Sequence, residues 1–485
     1  MQPLLKLPSK RRIESEQNNS AGSTSSASSS DSLSLEERLR RERQRLHSSG
    51  GLTQFCWTYN SKNNILRLLV PIRGSLYVQE GLDSFLKVVY DKHSLDEAVR
   101  LTKLTPAPPT AAIDPQLSPD GQIFAFCVLG EIFVAPCHEC HPPVQITFGA
   151  DLKNSITHGL ADFVAQEEMD RYRGYWWTPD SKGIVFARVD ESKVPPYRIT
   201  HHEHETTTEA CMYEDHRYPF AGKSNPTVRL AYVQVDAASI LRQRRQTNGS
   251  ATTPGTSATS SFHQGTVDPL AVAEYNWNRA LWFEPPREAQ EYLARLDFLP
   301  DGSACAQWQN RMQNCLVLSR MDLKTGKSRT LLVERSDVWI NLNHLLYVLD
   351  RPIHPRECRN TTIQPPLPDP LPEGSFSFLF GSERSGYCHL YLYTYVPGIN
   401  GEQAMLIRQV SGGDWMVESI VGVRLSQNVV YVMGTYDSVL ERHLYALPIT
   451  YTEVDTEPVA METESSSSLQ GQHPNGVRRG LKQVM

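Results

Sequence analysis

No run of about twenty apolar residues occurs anywhere in the 485-residue chain, so the pattern of a membrane-crossing helix is missing. The first residues, MQPLLKLPSKRR, place basic side chains after a few apolar ones. They hold no continuous apolar core of the length a secretory signal needs, and none is expected to act there. Positive charge is not in excess either. Lys and Arg number 48 against 54 Asp and Glu, giving a net charge of −6. The basic run Arg38 to Arg45 is short and isolated, which argues against a nucleic-acid partner. The nine cysteines are odd in number and irregularly spaced, so they read as reduced thiols of a cytoplasmic protein rather than a disulfide framework.

Several site motifs are missing as well. No Gly-x-Ser-x-Gly occurs, so the strand-to-helix elbow that carries a hydrolase serine is not present, and no catalytic residue is assigned. Gly381-Ser-Glu-Arg-Ser-Gly386 and Ser411-Gly-Gly-Asp414 lack the spacing and read as turns. Cys137-His-Glu-Cys-His141 offers half of a zinc site but has no second Cys-x-x-Cys to complete it. His201-His-Glu-His-Glu205 is not His-Glu-x-x-His, so the helical zinc-protease geometry fails. Neither metal nor cofactor is expected. No Trp-Asp or Gly-His repeat marks a common protein-binding propeller.

What the chain does have is short β-rich runs bounded by Gly, Pro, Asn and Asp, beginning near residue 51 with Ile65 to Val70, Ser75 to Val78 and Phe85 to Tyr90. A turn motif then recurs. Leu117-Ser-Pro-Asp-Gly121, Trp177-Thr-Pro-Asp-Ser181 and Leu299-Pro-Asp-Gly302 each precede a strand-like run. Pro119 and Pro179 lie 60 residues apart, and Pro179 and Pro300 lie 121 apart, about twice that. Proline fixes φ at one corner and glycine tolerates the left-handed one, so such a period predicts four-stranded propeller blades.

Around this core, residues 1–34 are serine-rich and poor in aromatics and read as disordered. Ser34 to Leu46 is a helix former with acids leading into bases, expected as a short lead-in helix. Residues 238–267 read as a disordered insertion, Arg351 to Glu373 as an irregular proline-rich loop, and 451–485 as a disordered tail.

The candidate site is Glu167 and Glu168, in the run Ala165-Gln-Glu-Glu-Met-Asp-Arg-Tyr-Arg-Gly-Tyr-Trp-Trp-Thr-Pro-Asp180. Two adjacent carboxylates suit the capture of a free peptide amino terminus. Its ammonium has a pKa of about 7.7 to 8.0 and offers three donors. Neighbouring strand residues point to opposite faces, so the pair serves one ligand only if this stretch is a turn or short helix. Arg171 and Arg173 are placed to support the carboxylates, and Trp176 and Trp177 read as one rim and one core residue.

Phe163 to Pro196 resembles the glutamate-pair segment of the dipeptidyl peptidase IV family of serine exopeptidases. Further stretches agree in order: Tyr218-Pro219 with Gly222-Lys-Ser-Asn-Pro226, Tyr292-Leu-Ala-Arg-Leu-Asp297 with Trp308-Gln309, and Ser382 to Tyr387 with His389-Leu-Tyr391. Gly413-Asp-Trp415, Asp437-Ser438 and Leu440 to Tyr445 complete the match. It spans roughly residues 110–447, more faintly from 51, and falls within the family's amino-terminal β-propeller. The resemblance implies an all-β propeller, eight-bladed in the family; at roughly 50 to 60 residues a blade, residues 51–450 supply about seven, so the ring is expected to be incomplete.

It also implies that Glu167 and Glu168 clamp the substrate's amino terminus, so that dipeptides ending in Pro or Ala are released. The α/β-hydrolase domain is absent, so this chain alone is expected to be inactive. The reading is of a truncated peptidase propeller; the alternative is a non-catalytic propeller scaffold or peptide-binding protein. Partners in play are peptides with a free amino terminus, a hydrolase domain and a second copy of the chain, with neither nucleic acid nor membrane. Family members also present an arginine to a substrate carbonyl, and the stretch Pro106 to Pro115 contains none.

Overall fold

The computed structural model of the chain describes residues 40–44, 54–60, 64–72, 74–82, 84–91, 111–138, 140–200, 213–241, 268–358, 366–450 and 482–483. The chain divides into two compact units, Met1–Glu284 and Pro285–Met485. The boundary falls on Pro285 and Pro286, two consecutive residues with no amide donor for a strand ladder.

In the first unit, sheet 1 runs through β1 (Cys56–Asn60), β2 (Ile65–Ile72), β3 (Ser75–Glu80) and β4 (Lys87–Tyr90), each antiparallel to the next. Sheet 2 repeats the pattern with β5 (Ile113–Leu117), β6 (Ile123–Val128), β7 (Glu131–Pro136) and β8 (Val144–Gln145). Sheet 3 begins with β9 (Ile156–His158) and β10 (Tyr175–Trp177), which pair with different stretches of β11 (Gly183–Asp190). A separate hairpin of β12 (Pro196–Thr200) and β13 (Tyr213–Arg217) precedes β14 (Thr227–Gln234) and β15 (Leu281–Phe283), which finish the sheet.

The second unit holds three more sheets of the same form. Sheet 4 is β16 (Tyr292–Phe298), β17 (Ala304–Gln309), β18 (Cys315–Met321) and β19 (Ser328–Arg335). Sheet 5 is β20 (Tyr347–Val348), β21 (Phe376–Ser382), β22 (His389–Tyr395) and β23 (Met405–Gln409). Sheet 6 is β24 (Val417–Arg424), β25 (Val429–Gly434), β26 (His443–Pro448) and β27 (Lys482–Gln483). These are four-stranded antiparallel meanders, the blades of an all-β propeller region.

The recurring Pro-Asp motif makes the same turn each time, between β5 and β6, β10 and β11, and β16 and β17. Gly121 N–H donates to Ser118 O at 2.8 Å, Ser181 N–H to Thr178 O at 2.9 Å, and Gly302 N–H to Leu299 O at 3.0 Å. In the first two, the Ser118 and Thr178 hydroxyls donate to Asp120 and Asp180 at 2.6 and 2.7 Å and accept the N–H of Ile123 and Gly183. Gly121 and Gly302 take φ of +71° and +79°, the left-handed corner where glycine carries no steric cost.

Cores form between successive sheets within each unit. Leu69, Leu76 and Val78 of sheet 1 meet Phe124, Phe126 and Phe133 of sheet 2. The opposite face of sheet 2, with Ile123, Ala125 and Val134, meets Tyr175, Trp177, Ile184 and Phe186 of sheet 3. This double coverage explains why β6 reads Ile-Phe-Ala-Phe-Cys-Val with no polar alternation, since all six residues are buried. In the second unit, Leu316 and Leu318 pack with Phe376 and Phe378, and Leu390 and Leu392 with Val430, Val432 and Tyr445.

Among the described residues there are five four-stranded sheets, the five-stranded sheet 3 and the two-stranded β12–β13 hairpin, beside an expectation of about seven blades. Some residues between the sheets are not strand. The proline-rich stretch 351–373 holds a single 3-10 turn, Pro355–Glu357, and no strand among its described residues. The segment expected to be a disordered insertion begins as helix, and the chain re-enters through a second one. These are Ala237–Leu241 and Pro269–Trp277, the latter capped by Asp268 with proline in its first turn. Trp277 packs on Phe186, His158 and Trp282, fixing that re-entry to sheet 3. Residues 242–267 lie outside the described residues, as do 1–39 and 451–481. Lys482–Gln483, within the segment expected as a tail, pair with Tyr445 and Ala446.

Candidate functional site

The glutamate pair sits where the chain leaves strand geometry. A short helix, α1 (Phe163–Glu167), starts at Asp162, whose carboxylate accepts the Ala165 N–H at 3.0 Å. Glu167 is its last residue and Glu168 its C-cap, the Glu168 N–H donating to Val164 O at 2.9 Å. Both glutamates are exposed, whereas Met169 next to them is buried. The turn-or-helix condition set by strand alternation is therefore met. Asp170, at φ +52°, turns the chain, and Arg171 N–H returns to Ala165 O at 2.9 Å.

The expected support from Arg171 and Arg173 takes a different form. Arg171 is buried and reaches Asp162 Oδ2 at 3.2 Å and the Arg173 carbonyl at 2.7 Å. It therefore braces the start of α1 rather than the carboxylates at its end. Arg173 itself is exposed. The cation at the pair is Arg43, from the helical residues 40–43, with Nε 3.5 Å from Glu167 Oε1. Its guanidinium also lies 4.9 Å from the Phe163 ring centroid. Arg40, one turn earlier, bonds Asp114 at 3.0 Å and Gln54 at 3.2 Å, and the Tyr172 hydroxyl donates to the Arg43 carbonyl at 3.4 Å. Those contacts hold the helix against the first unit.

Burial pulls the Arg43 guanidinium below its ordinary value, while Glu167, Glu191, Glu42 and Asp162 oppose the change. Glu191 is pushed up to about 7 by burial and by Asp162, against the pull of Arg43 and Arg217. The site thus gathers two exposed carboxylates, a guanidinium and a carboxyl that changes charge near neutrality. Trp177 is buried, with its indole N–H donating to Gln116 O at 3.3 Å, and Trp176 is half-buried, as the core-and-rim reading expected.

Arg43 was missed because it belongs to a distant segment, although a signal was present. Arg40 and Arg43 are three residues apart on a helix former, hence on one face. In the cysteine–histidine run, Cys137 is buried in the core between sheets 1 and 2, whereas Cys140 is exposed. Among the described residues no three His, Cys, Asp or Glu side chains are grouped to hold an ion, and residues 201–212 lie outside that set. No helix among the described residues is long and apolar enough to cross a membrane.

A family model described as the dipeptidyl peptidase IV (DPP IV) N-terminal region matches residues 86–471. The chain belongs to the dipeptidyl peptidase IV family. Among curated relatives, the probable dipeptidyl peptidase 4 of Aspergillus flavus is 23% identical over 355 residues, covering 72% of this chain and 37% of its own. Dipeptidyl peptidase 8 of Mus musculus is 25% identical over 342 residues, covering 59% of this chain and 32% of its own. The chain thus spans about a third of the length of these relatives. The crystal structure of Porphyromonas gingivalis dipeptidyl peptidase 4 matches with a TM-score of 0.54 at 20% identity, over 86% of this chain and 46% of that one. At that identity the match speaks for the fold, and it agrees with the bladed sheets.

Proposed function

We propose that this chain is the propeller portion of a dipeptidyl peptidase IV-like serine exopeptidase and supplies the clamp for the substrate's amino terminus. The observation that carries the reading is the exposed Glu167–Glu168 pair on a capped helix end, with Arg43 3.5 Å from Glu167. The peptide ammonium donates to both carboxylates. At about 4 Å and an effective dielectric of about 20, each contact contributes about 4 kcal/mol before desolvation is subtracted. Arg43 spends part of its five-donor fork on Glu167, and its remaining donors suit a carbonyl oxygen one peptide unit further along. In this reading Arg43 is the arginine that the family resemblance assigns to the substrate carbonyl.

Clamping the terminus fixes how much peptide reaches the scissile bond, so Glu167 and Glu168 set dipeptide length and not the chemistry. Bond cleavage after Pro or Ala needs the nucleophile, and these 485 residues contain no Gly-x-Ser-x-Gly to supply it. Residence in the cytoplasm belongs to the same proposal. The test is a ligand-detected NMR titration of a Gly-Pro-Gly-Gly peptide against wild type and the double variant Glu167→Gln, Glu168→Gln. The reading expects at least a roughly tenfold loss of affinity, about 1.4 kcal/mol. Equal affinity for both proteins contradicts it.

A further inference from the structure

A run of aromatic rings starts on the helix that carries the glutamate pair. Phe163 begins it, on α1 one helical turn before Glu167 and under the same Arg43 guanidinium. Its ring meets Tyr218 edge-on at 5.3 Å, Tyr218 meets Phe220 at 4.9 Å, and Phe220 meets Tyr197 at 5.7 Å. The rings come from three places in the sequence. Tyr197 stands on β12, while Tyr218 and Phe220 follow β13, where Tyr218 N–H donates to Pro195 O and Phe220 N–H to Tyr218 O, both at 3.0 Å.

Edge-to-face contacts hold these rings in fixed orientation, as aromatic quadrupoles favour. Yet Tyr197, Tyr218 and Phe220 stay 47%, 39% and 38% exposed. Four rings serving only to pin the hairpin would bury one another more fully. A row of partly open, preorganised rings beside an anionic clamp has complementary chemistry: negative charge for an ammonium, and an apolar wall for the side chain on the carbon next to it.

We infer that Phe163, Tyr218, Phe220 and Tyr197 form a specificity surface for the first side chain of the bound peptide, selecting aromatic over small residues. The inference rests on the amino-terminus reading of Glu167 and Glu168. A first-residue ring packs against Tyr218 and Phe220 while its ammonium remains at the carboxylates. Because the rings are already ordered, the gain is not consumed in organising them.

The experiment compares the affinities of Phe-Pro-Gly-Gly and Gly-Pro-Gly-Gly, each free and α-acetylated, for the full chain. Wild type is expected to favour the phenylalanine peptide about five- to tenfold. In Tyr218→Ala and Tyr197→Ala that ratio falls to within about twofold, whereas Tyr218→Phe, which keeps the ring, retains it. Thermal melting of each variant checks folding, and the ratio itself is insensitive to the amount of folded protein. If acetylation leaves wild-type binding unchanged, the clamp reading fails. If acetylation abolishes binding but the wild-type ratio is near one, or survives in both alanine variants, the aromatic surface is overturned and the clamp stands.

Discussion

Arg43 and Glu167 meet at 3.5 Å across segments far apart in the chain. Glu167 is partly exposed, so the ion pair adds at most about 1 kcal/mol to stability. The variant Arg43→Met is therefore expected to melt within a few degrees of wild type while losing about tenfold or more in affinity for a free-amino-terminus peptide. Arg43→Lys keeps the charge but loses the planar fork, and it recovers only part of that affinity. Calorimetry beside a peptide titration checks both, and a large stability loss with unchanged binding would assign Arg43 a purely structural part.

Asp162 governs where the two glutamates point, because it caps α1 and receives Arg171. Replacing it with alanine removes the cap and leaves the buried guanidinium short of a partner. The expected cost is about 2–4 kcal/mol in denaturant unfolding. Asp162→Asn retains the acceptor for Ala165 and costs less. Peptide affinity should follow the same order, wild type above asparagine above alanine.

Glu191 gives the first unit a pH signature. Its folded pKa, about 7, lies above the ordinary 4.5, so the folded state holds the proton more tightly than the unfolded one. Below the ordinary value both states are protonated and the group contributes nothing. As pH rises through that value toward 7, the buried carboxyl progressively lowers stability, by no more than about 3 kcal/mol. Glu191→Gln removes this titration. Its melting temperature relative to wild type should rise between pH 4.5 and 7 and level off above. A difference that is flat or falls over that window would show that Glu191 is not held in this environment.

Gly174 lies between the glutamate pair and Tyr175, where a Cβ would come within 2.4 Å of the Gly159 backbone. Backbone cannot be displaced as a flexible side-chain tip can. Gly174→Ala is expected to cost at least about 2 kcal/mol and to lower expression of folded protein, read by circular dichroism melts.

Local chemistry made much of this fold legible. The Ser118, Thr178 and Leu299 turns followed from proline, aspartate and glycine at fixed offsets. The sequence set a turn or short helix as the condition for Glu167 and Glu168 to serve one ligand, and the short helix ending at Glu167 meets it. Contacts between distant segments were not legible in the same way. Arg43 reaches the site from a helix that Arg40 docks on Asp114, and the Phe163–Tyr218 contact depends on where the β12–β13 hairpin begins. Arg171 was placed near the pair by sequence proximity, whereas its carboxylate partner is Asp162. Chain length alone could not say where the helices flanking residues 242–267 and the proline-rich loop interrupt the strands.

The most direct measurement is the affinity of the purified chain for one Gly-Pro-Gly-Gly peptide before and after acetylation of its α-amino group, at pH 7 and low salt. A clamp built from Glu167 and Glu168 predicts that acetylation removes binding, by tenfold or more, in wild type and changes nothing further in the double glutamine variant. Equal binding of the free and acetylated peptides by wild type would contradict it.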